Sequence, residues 1–174
     1  MKGIVIYKGK YGATRQYADW IATACQLPFF TPEDITPQEL DKYELVIAGA
    51  SVYAGRWMMR KWLVKNAALL KNKKLVLFIV CGTPSTDKES LDYMIRMNIP
   101  AHMRNTVPVY FLHGRLVVKQ LSWGDRTALR LGAALTKDPV KKKEMLQDFD
   151  DVKKEHLQPL LQAIRDQEYS HMEG

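Results

Sequence analysis

The sequence predicts an open, doubly wound parallel α/β sheet, with five strands in the order 2-1-3-4-5 and helices on both faces. Three observations predict it. Glu44-Leu45-Val46-Ile47-Ala48-Gly49 and Lys74-Leu75-Val76-Leu77-Phe78-Ile79-Val80 are near-continuous apolar runs, as strands covered on both faces require. Strand-like and helix-like segments alternate along the chain, a pattern built by right-handed βαβ crossovers. Finally, 174 residues of which 47% are hydrophobic suffice for one compact domain over 1–174 and exclude a disordered chain.

Each element follows in order. Gly3 to Lys8 is a short β-branched run without helical period, the first strand. From Thr14 to Leu27 the residues Tyr17, Ala18, Ile21, Ala22 and Cys25 recur at spacings of three and four, which predicts a helix. Leu27 to Phe30 is a short second strand. Thr36-Pro37-Gln38-Glu39 combines an N-cap, a proline at the first helical position and Glu at the third, so a brief helical turn follows. After the third strand, Trp57 to Leu70 has helical period, with Met58, Trp62, Leu63, Ala67 and Leu70 on one side, and Asn72-Lys73 breaks it. Beyond the fourth strand, Thr86 with Glu89 three residues on caps a helix to Met97. Val107 to Leu112 is the fifth strand, and a helix from about Asp150 to Gln167 closes the chain. A sheet of this order has its ligand crevice beyond the carboxyl ends of the strands, where the order reverses.

Residues 113–149 exceed the short link that such a sheet needs between its last strand and last helix, and are read as an insert. It contains Trp123, a helical stretch Arg126 to Leu135 and the run Lys141-Lys142-Lys143, with eight Lys/Arg in all. The net charge of +7 is uneven: residues 1–50 carry five Lys/Arg and six Asp/Glu, the remainder 21 and 13. A basic surface therefore belongs to the later chain, where it suits an anionic lipid surface, an anionic ligand, an acidic partner or nucleic acid. Nucleic acid is set aside, because no aromatic-interleaved basic platform or helix-turn-helix pattern accompanies the lysines. Mixed with Leu116, Val117, Val118, Leu121, Leu129, Leu131 and Leu135, the insert reads either as a helix packed on the sheet or as a face lying on an anionic membrane. The apolar run after Met1 is too short for a signal peptide and none approaches a membrane span, which points to the cytoplasm. Two cysteines, Cys25 and Cys81, exclude a disulfide scaffold and a multi-cysteine metal site, and no metal is expected.

Three loops carry the candidate chemistry. Gly9, Lys10, Tyr11, Gly12, Ala13 and Thr14 lead from the first strand directly into a helix. Such a turn presents backbone N–H groups and the positive dipole end to a phosphate, or is a plain strand-to-helix turn capped by Thr14. It matches neither the Walker pattern nor G-x-G-x-x-G. Ser51, Val52, Tyr53, Ala54 and Gly55 follow the third strand, and Cys81, Gly82 and Thr83 the fourth. Small residues let backbone approach a flat ligand, and an aromatic ring can stack on it. A phosphate site beside a planar-ring site describes a mononucleotide, and flavin is the mononucleotide with redox chemistry.

These residues resemble the flavodoxins, and more closely the branch that contains menaquinone-dependent protoporphyrinogen dehydrogenase. The resemblance spans essentially the whole chain. It rests on Ile4-Val5-Ile6-Tyr7, Gly12-x-Thr14-Arg15, Val46 to Gly55, Trp123-x-Asp125-Arg126 and Asp148-Phe149-Asp150. It implies that Gly9 to Thr14 take the phosphate of FMN, that Ser51 to Gly55 and Cys81 to Thr83 line its ring, and that Tyr53 stacks on it. The first loop departs from the family in its hydroxyls: Gly9 and Tyr11 stand where two Ser/Thr are usual, leaving Thr14, with Lys8 or Lys10 as a charged partner for the phosphate.

The resemblance also implies the activity, an FMN-dependent oxidoreductase passing electrons from a reduced organic substrate to a quinone. The alternatives are a soluble electron carrier between protein partners and a domain that has lost its flavin. Carriers of this fold tend to be acidic, so the basic balance here favours the enzyme. No catalytic residue is assigned. His113 has either a proton role or a surface one, Arg115 contacts a substrate carboxylate or solvent, Cys81 is reactive or merely packed, and Trp57 touches ligand or core.

Overall fold

The computed structural model describes residues 1–53 and 55–172. Its central sheet contains the parallel strands β1 (Gly3–Lys8), β2 (Phe29–Phe30), β3 (Leu45–Tyr53), β5 (Lys74–Cys81) and β6 (Val109–His113). They lie in the order β2-β1-β3-β5-β6, the expected one once the short strand β4 (Arg56–Trp57) is set apart, because it pairs antiparallel with the end of β3. The register places Tyr7 and Phe78 on either side of Gly49.

The two apolar faces of the sheet are covered separately. Val5, Ile47, Val76, Phe78 and Val80 pack with Tyr17, Ala18 and Ile21 of α1 (Ala13–Cys25) and Leu160 and Ile164 of α8 (Gln158–Met172). Ile4, Ile6, Val46, Ala48, Leu77 and Ile79 pack on the other side with Leu40 of α2 (Pro37–Leu40), Leu63 of α3 (Arg60–Lys65), Leu70 of α4 (Ala67–Leu70) and Leu91 of α5 (Lys88–Asn98). These are the continuous runs seen in the sequence, alternating between two covered faces.

Several boundaries differ from expectation, each for a local reason. The helix expected from Trp57 begins at Arg60 and is interrupted at Asn66, whose side chain donates to Trp62 O (2.8 Å). Residues 56–57 instead reverse the chain, because Gly55 adopts φ 73° and turns β3 back on itself. Asp87, not Thr86, caps α5, accepting from the Ser90 N–H at 3.2 Å. The capping box Thr36–Glu39 forms as expected. Lys73, in the break after α4, is nearly buried and donates to the carbonyls of Asp41 (3.0 Å) and Tyr43 (2.8 Å). The closing helix starts later than expected, after a 3-10 turn over Lys154–Leu157.

The chain between β6 and α8 is an excursion with a neck. Strands β7 (Arg115–Leu116) and β8 (Phe149–Asp150) pair antiparallel, and between them lie α6 (Trp123–Leu135) and α7 (Pro139–Met145). Arg115 Nε donates to Asp150 Oδ2 at 2.6 Å and its guanidinium also meets Gln16, which ties the neck to α1. Arg115 therefore has a structural partner rather than facing open solvent. The α6 helix starts three residues earlier than the sequence suggested because Ser122 caps it, accepting from the Asp125 N–H at 3.2 Å.

Candidate functional site

The loops after β1, β3 and β5 share the carboxyl edge of the sheet because parallel strands all end on the same side. Gly12 is the residue before α1, with φ 87° and open space where a side chain would stand. No side chain caps α1, so the N–H groups of its first turn are not taken by a cap and face the edge where an anion would dock. Thr14 does not cap the helix. It is buried within the first turn, and its hydroxyl lies against Gly9, where an added Cβ would come within 2.7 Å of Oγ1. The Thr14 side chain thus packs against the loop at Gly9.

The insert delivers a carboxylate to this edge. Asp125, on the first turn of α6 and 6% exposed, accepts hydrogen bonds from the hydroxyls of Tyr11 and Tyr53 and from Lys10 Nζ, which is 3.1 Å from each of its oxygens. Tyr11 OH in turn accepts from the Ser122 N–H at 3.2 Å. The Lys10 ammonium also stands 4.4 Å from the centre of the Tyr53 ring, a cation–π contact. Three donors on one carboxylate favour its ionised form: the tyrosine hydrogen bonds first, then Lys10, hold Asp125 well below the usual carboxylate range. The same contacts push Lys10 and the Tyr53 hydroxyl up, each first through its bond to Asp125. Of the expected site residues, Lys10, Tyr11 and Tyr53 are brought together, and the stacking face assigned to Tyr53 carries the Lys10 ammonium.

The loop after β3 is anchored from behind by Asn98, at the end of α5. Its Oδ1 accepts from the Trp57 N–H at 2.8 Å, and its Nδ2 donates to Gly55 O (3.1 Å) and Met94 O (3.0 Å). Trp57 is 1% exposed and donates Nε1–H to Ala50 O at 3.1 Å, so it belongs to the core. Ser51 Oγ–H points to Met58 Sδ at 3.3 Å. Val52 and Tyr53 are half-buried, Gly55 is exposed, and Ala54 lies outside the described residues. Asn98→Ala leaves the Trp57 N–H and the Gly55 carbonyl without partners, and is expected to cost about 1–3 kcal/mol. Urea unfolding of the variant measures this, and a loss under 0.5 kcal/mol would contradict the anchoring role.

The loop after β5 is partly roofed. Phe149 of β8 lies over Gly82, where an added Cβ would come within 2.8 Å of its ring. Cys81 is buried and burial pushes its thiol up, so it behaves as a packed thiol rather than a nucleophile. Both cysteines are free. His113 points elsewhere: its Nδ1 is 3.5 Å from Asp151, its ring 5.4 Å from that of His156, and its carbonyl accepts from Tyr17 OH at 2.7 Å. Among the described residues no hydrogen bond joins it to the Asp125 cluster. No group of His, Cys, Asp and Glu among them is arranged to hold a metal ion.

In the sequence Asp125 carries no role of its own, and Asn98 lies outside every motif. A Trp-x-Asp-Arg motif at a capped helix start was the only signal for the first, and the second had none.

The fold is a doubly wound α/β domain whose three candidate loops share the carboxyl edge of the sheet. The flavodoxin domain family matches residues 4–143, and the chain belongs to that family of flavin-binding redox domains. A solved structure of a flavodoxin from the domain Archaea is 18% identical, with a TM-score of 0.43, covering 82% of this chain and 99% of that one. No curated protein sequence matches the chain.

Proposed function

We propose that the chain is a single domain that binds FMN along the carboxyl edge of its sheet, with Gly9 to Thr14 toward the phosphate and Ser51 to Gly55 and Cys81 to Thr83 toward the ring. One observation carries this reading: three side-chain donors of these loops, Lys10, Tyr11 and Tyr53, already meet around a negative group, Asp125, and the loop that supplies Lys10 and Tyr11 leads into the uncapped start of α1. The donor set fits an anionic phosphate, since Lys10 supplies charge where the loop lacks hydroxyls. FMN, when bound, supplies hydride or single-electron transfer. The chain's own part is to bind and orient: first-turn N–H groups and Lys10 neutralise the phosphate, backbone of Ser51 to Gly55 reaches the ring edge, and Tyr53 offers the aromatic surface.

The activity we assign is that of an oxidoreductase passing electrons from a reduced organic substrate to a quinone, like the protoporphyrinogen dehydrogenase branch, in the cytoplasm and peripherally at the inner face of the membrane. The exposed side of α6 supports the membrane contact. Trp123 is 83% and Leu135 84% exposed, alongside exposed Arg130 and the Lys141–Lys143 run of α7. No helix among the described residues is long and apolar enough to cross a membrane. Such a face can rest its aromatic and aliphatic groups among lipid with cations at the headgroups, each worth about 1 kcal/mol on an anionic surface.

Two experiments test these assignments. FMN titrated into the protein is expected to be quenched and to acquire a bound flavin spectrum. Gly12→Val should weaken binding at least about tenfold, because a β-branched residue at positive φ is strained and turns the first N–H groups away, at a stability cost of about 1–2 kcal/mol. Absence of binding by the parent chain would remove the flavin assignment. Co-sedimentation should occur with anionic but not neutral vesicles, weaken with salt, and fall for Trp123→Ser. Indifference to anionic vesicles, with slow quinone reduction and rapid exchange with a protein redox partner, would favour the electron carrier.

A further inference from the structure

Helix α6 is held to the domain in an unusual way. Of its residues only Asp125 and Ala133 are buried, while Trp123, Leu131 and Leu135 lie in solvent. Apolar burial therefore contributes little to its docking. Its polar connections to the domain gather at one end: Asp125 to Lys10, Tyr11 and Tyr53, with the Ser122 N–H on Tyr11. Helix α7 packs against α6, through Met145 beside Gly132 and Thr136, and reaches the domain by the 3.8 Å pair of Lys141 with Asp87. The other connection is the short β7–β8 neck, fixed by Arg115–Asp150 and by Val118 N–H to Asp148 Oδ1 at 2.8 Å. The arrangement is a two-helix arm on a fixed neck, closed by a carboxylate.

We propose that Asp125 is a self-supplied anion that latches the α6–α7 arm over the ligand site, and that an incoming phosphate-bearing ligand releases the arm by taking over Lys10, Tyr11 and Tyr53. This deepens the FMN reading and rests on it for the identity of the ligand, but not for the existence of the latch. The exchange is one of like for like: the donors that satisfy a carboxylate also satisfy a phosphate oxygen, so neither state leaves the Lys10 charge or the tyrosine hydroxyls unpaired. The closed arm and the bound anion compete for one set of donors, so apparent affinity is reduced by the fraction of molecules whose site is open. Phe149, over Gly82, belongs to the fixed neck, so the movement uncovers the phosphate end of the site and leaves this cover in place.

The test has one arm without flavin and one with it. Hydrogen exchange across residues 117–148 of the ligand-free protein reads the latch directly. Asp125→Ala should raise exchange there about tenfold or more, with the β1, β3 and β5 amides unchanged. Inorganic phosphate added to the unmodified protein should raise it too, while chloride at equal ionic strength should not, which keeps the test valid if the variant folds poorly. Exchange unchanged both in the variant and with phosphate overturns the proposal. For FMN, Asp125→Ala should bind about tenfold more tightly than the parent, with Asp125→Asn between them. Weaker binding in Asp125→Ala would make Asp125 a ligand-holding residue and overturn the latch. If neither protein binds FMN while exchange responds as expected, the flavin reading fails and the latch stands.

Discussion

Gly49→Ala is expected to destabilise the domain by about 3 kcal/mol or more, at the upper end of what overpacking a core costs. Gly49 lies in the middle of the sheet, between Tyr7 of β1 and Phe78 of β5. A Cβ built on it would fall 2.0 Å from Phe78 Cζ and 2.1 Å from both Cε atoms. The Phe78 ring is fully buried among α1, α8 and the sheet, so it has no rotamer into which to retreat without displacing a helix. Reducing the ring relieves the clash: the double variant Gly49→Ala/Phe78→Leu should be more stable than Gly49→Ala alone, a coupling expected only for residues in contact. Urea denaturation of the four proteins of this cycle measures both quantities. Additive effects, or a Gly49→Ala loss below 1 kcal/mol, would mean that the ring does not lie across the glycine.

Trp57→Ala should cost about 3–5 kcal/mol, the range for removing a fully buried large aromatic. Two hydrogen bonds add to the packing. The indole N–H meets Ala50 O at 3.1 Å, and the backbone N–H meets Asn98 Oδ1 at 2.8 Å. Trp57→Phe separates these contributions, since it keeps most of the volume while leaving the Ala50 carbonyl without its indole donor, and should lose about 1–2 kcal/mol. Because Trp57 pairs with Val52 and its neighbour Arg56 with Tyr53, the alanine variant should also loosen the loop and weaken FMN binding. A fall in affinity without a fall in melting temperature would contradict the core placement and return Trp57 to the ligand face.

The architecture was legible in the sequence because its signals are local. A parallel strand covered on both faces must be apolar throughout, and the runs ending at Gly49 and Val80 could scarcely be anything else. The amphipathic period of α1 and the Thr36–Glu39 box are likewise settled within a few residues, and both stand where expected. That the loops after β1, β3 and β5 share the carboxyl edge follows from topology, so their placement was legible as well.

What only the tertiary structure decided concerns residues whose partners are far away in the chain. Trp57 has the same spacing to Leu63 and Leu70 whether it begins a helix or ends a hairpin, and the choice fell to Gly55 and to Asn98, 41 residues on. Thr14 reads as a cap until Gly9 is seen folded against it. The pairing of Asp125 with Tyr53 and Lys10 spans 72 and 115 residues. An acidic side chain in a basic insert carries no mark of its partner, because electrostatic attraction acts through space and leaves no period along the chain. The sequence by itself determined the sheet, its covered faces and the loops that share its carboxyl edge. Only the folded chain decided that the insert closes over that edge, since the donors and the carboxylate meet only when β1, β3 and α6 are brought together.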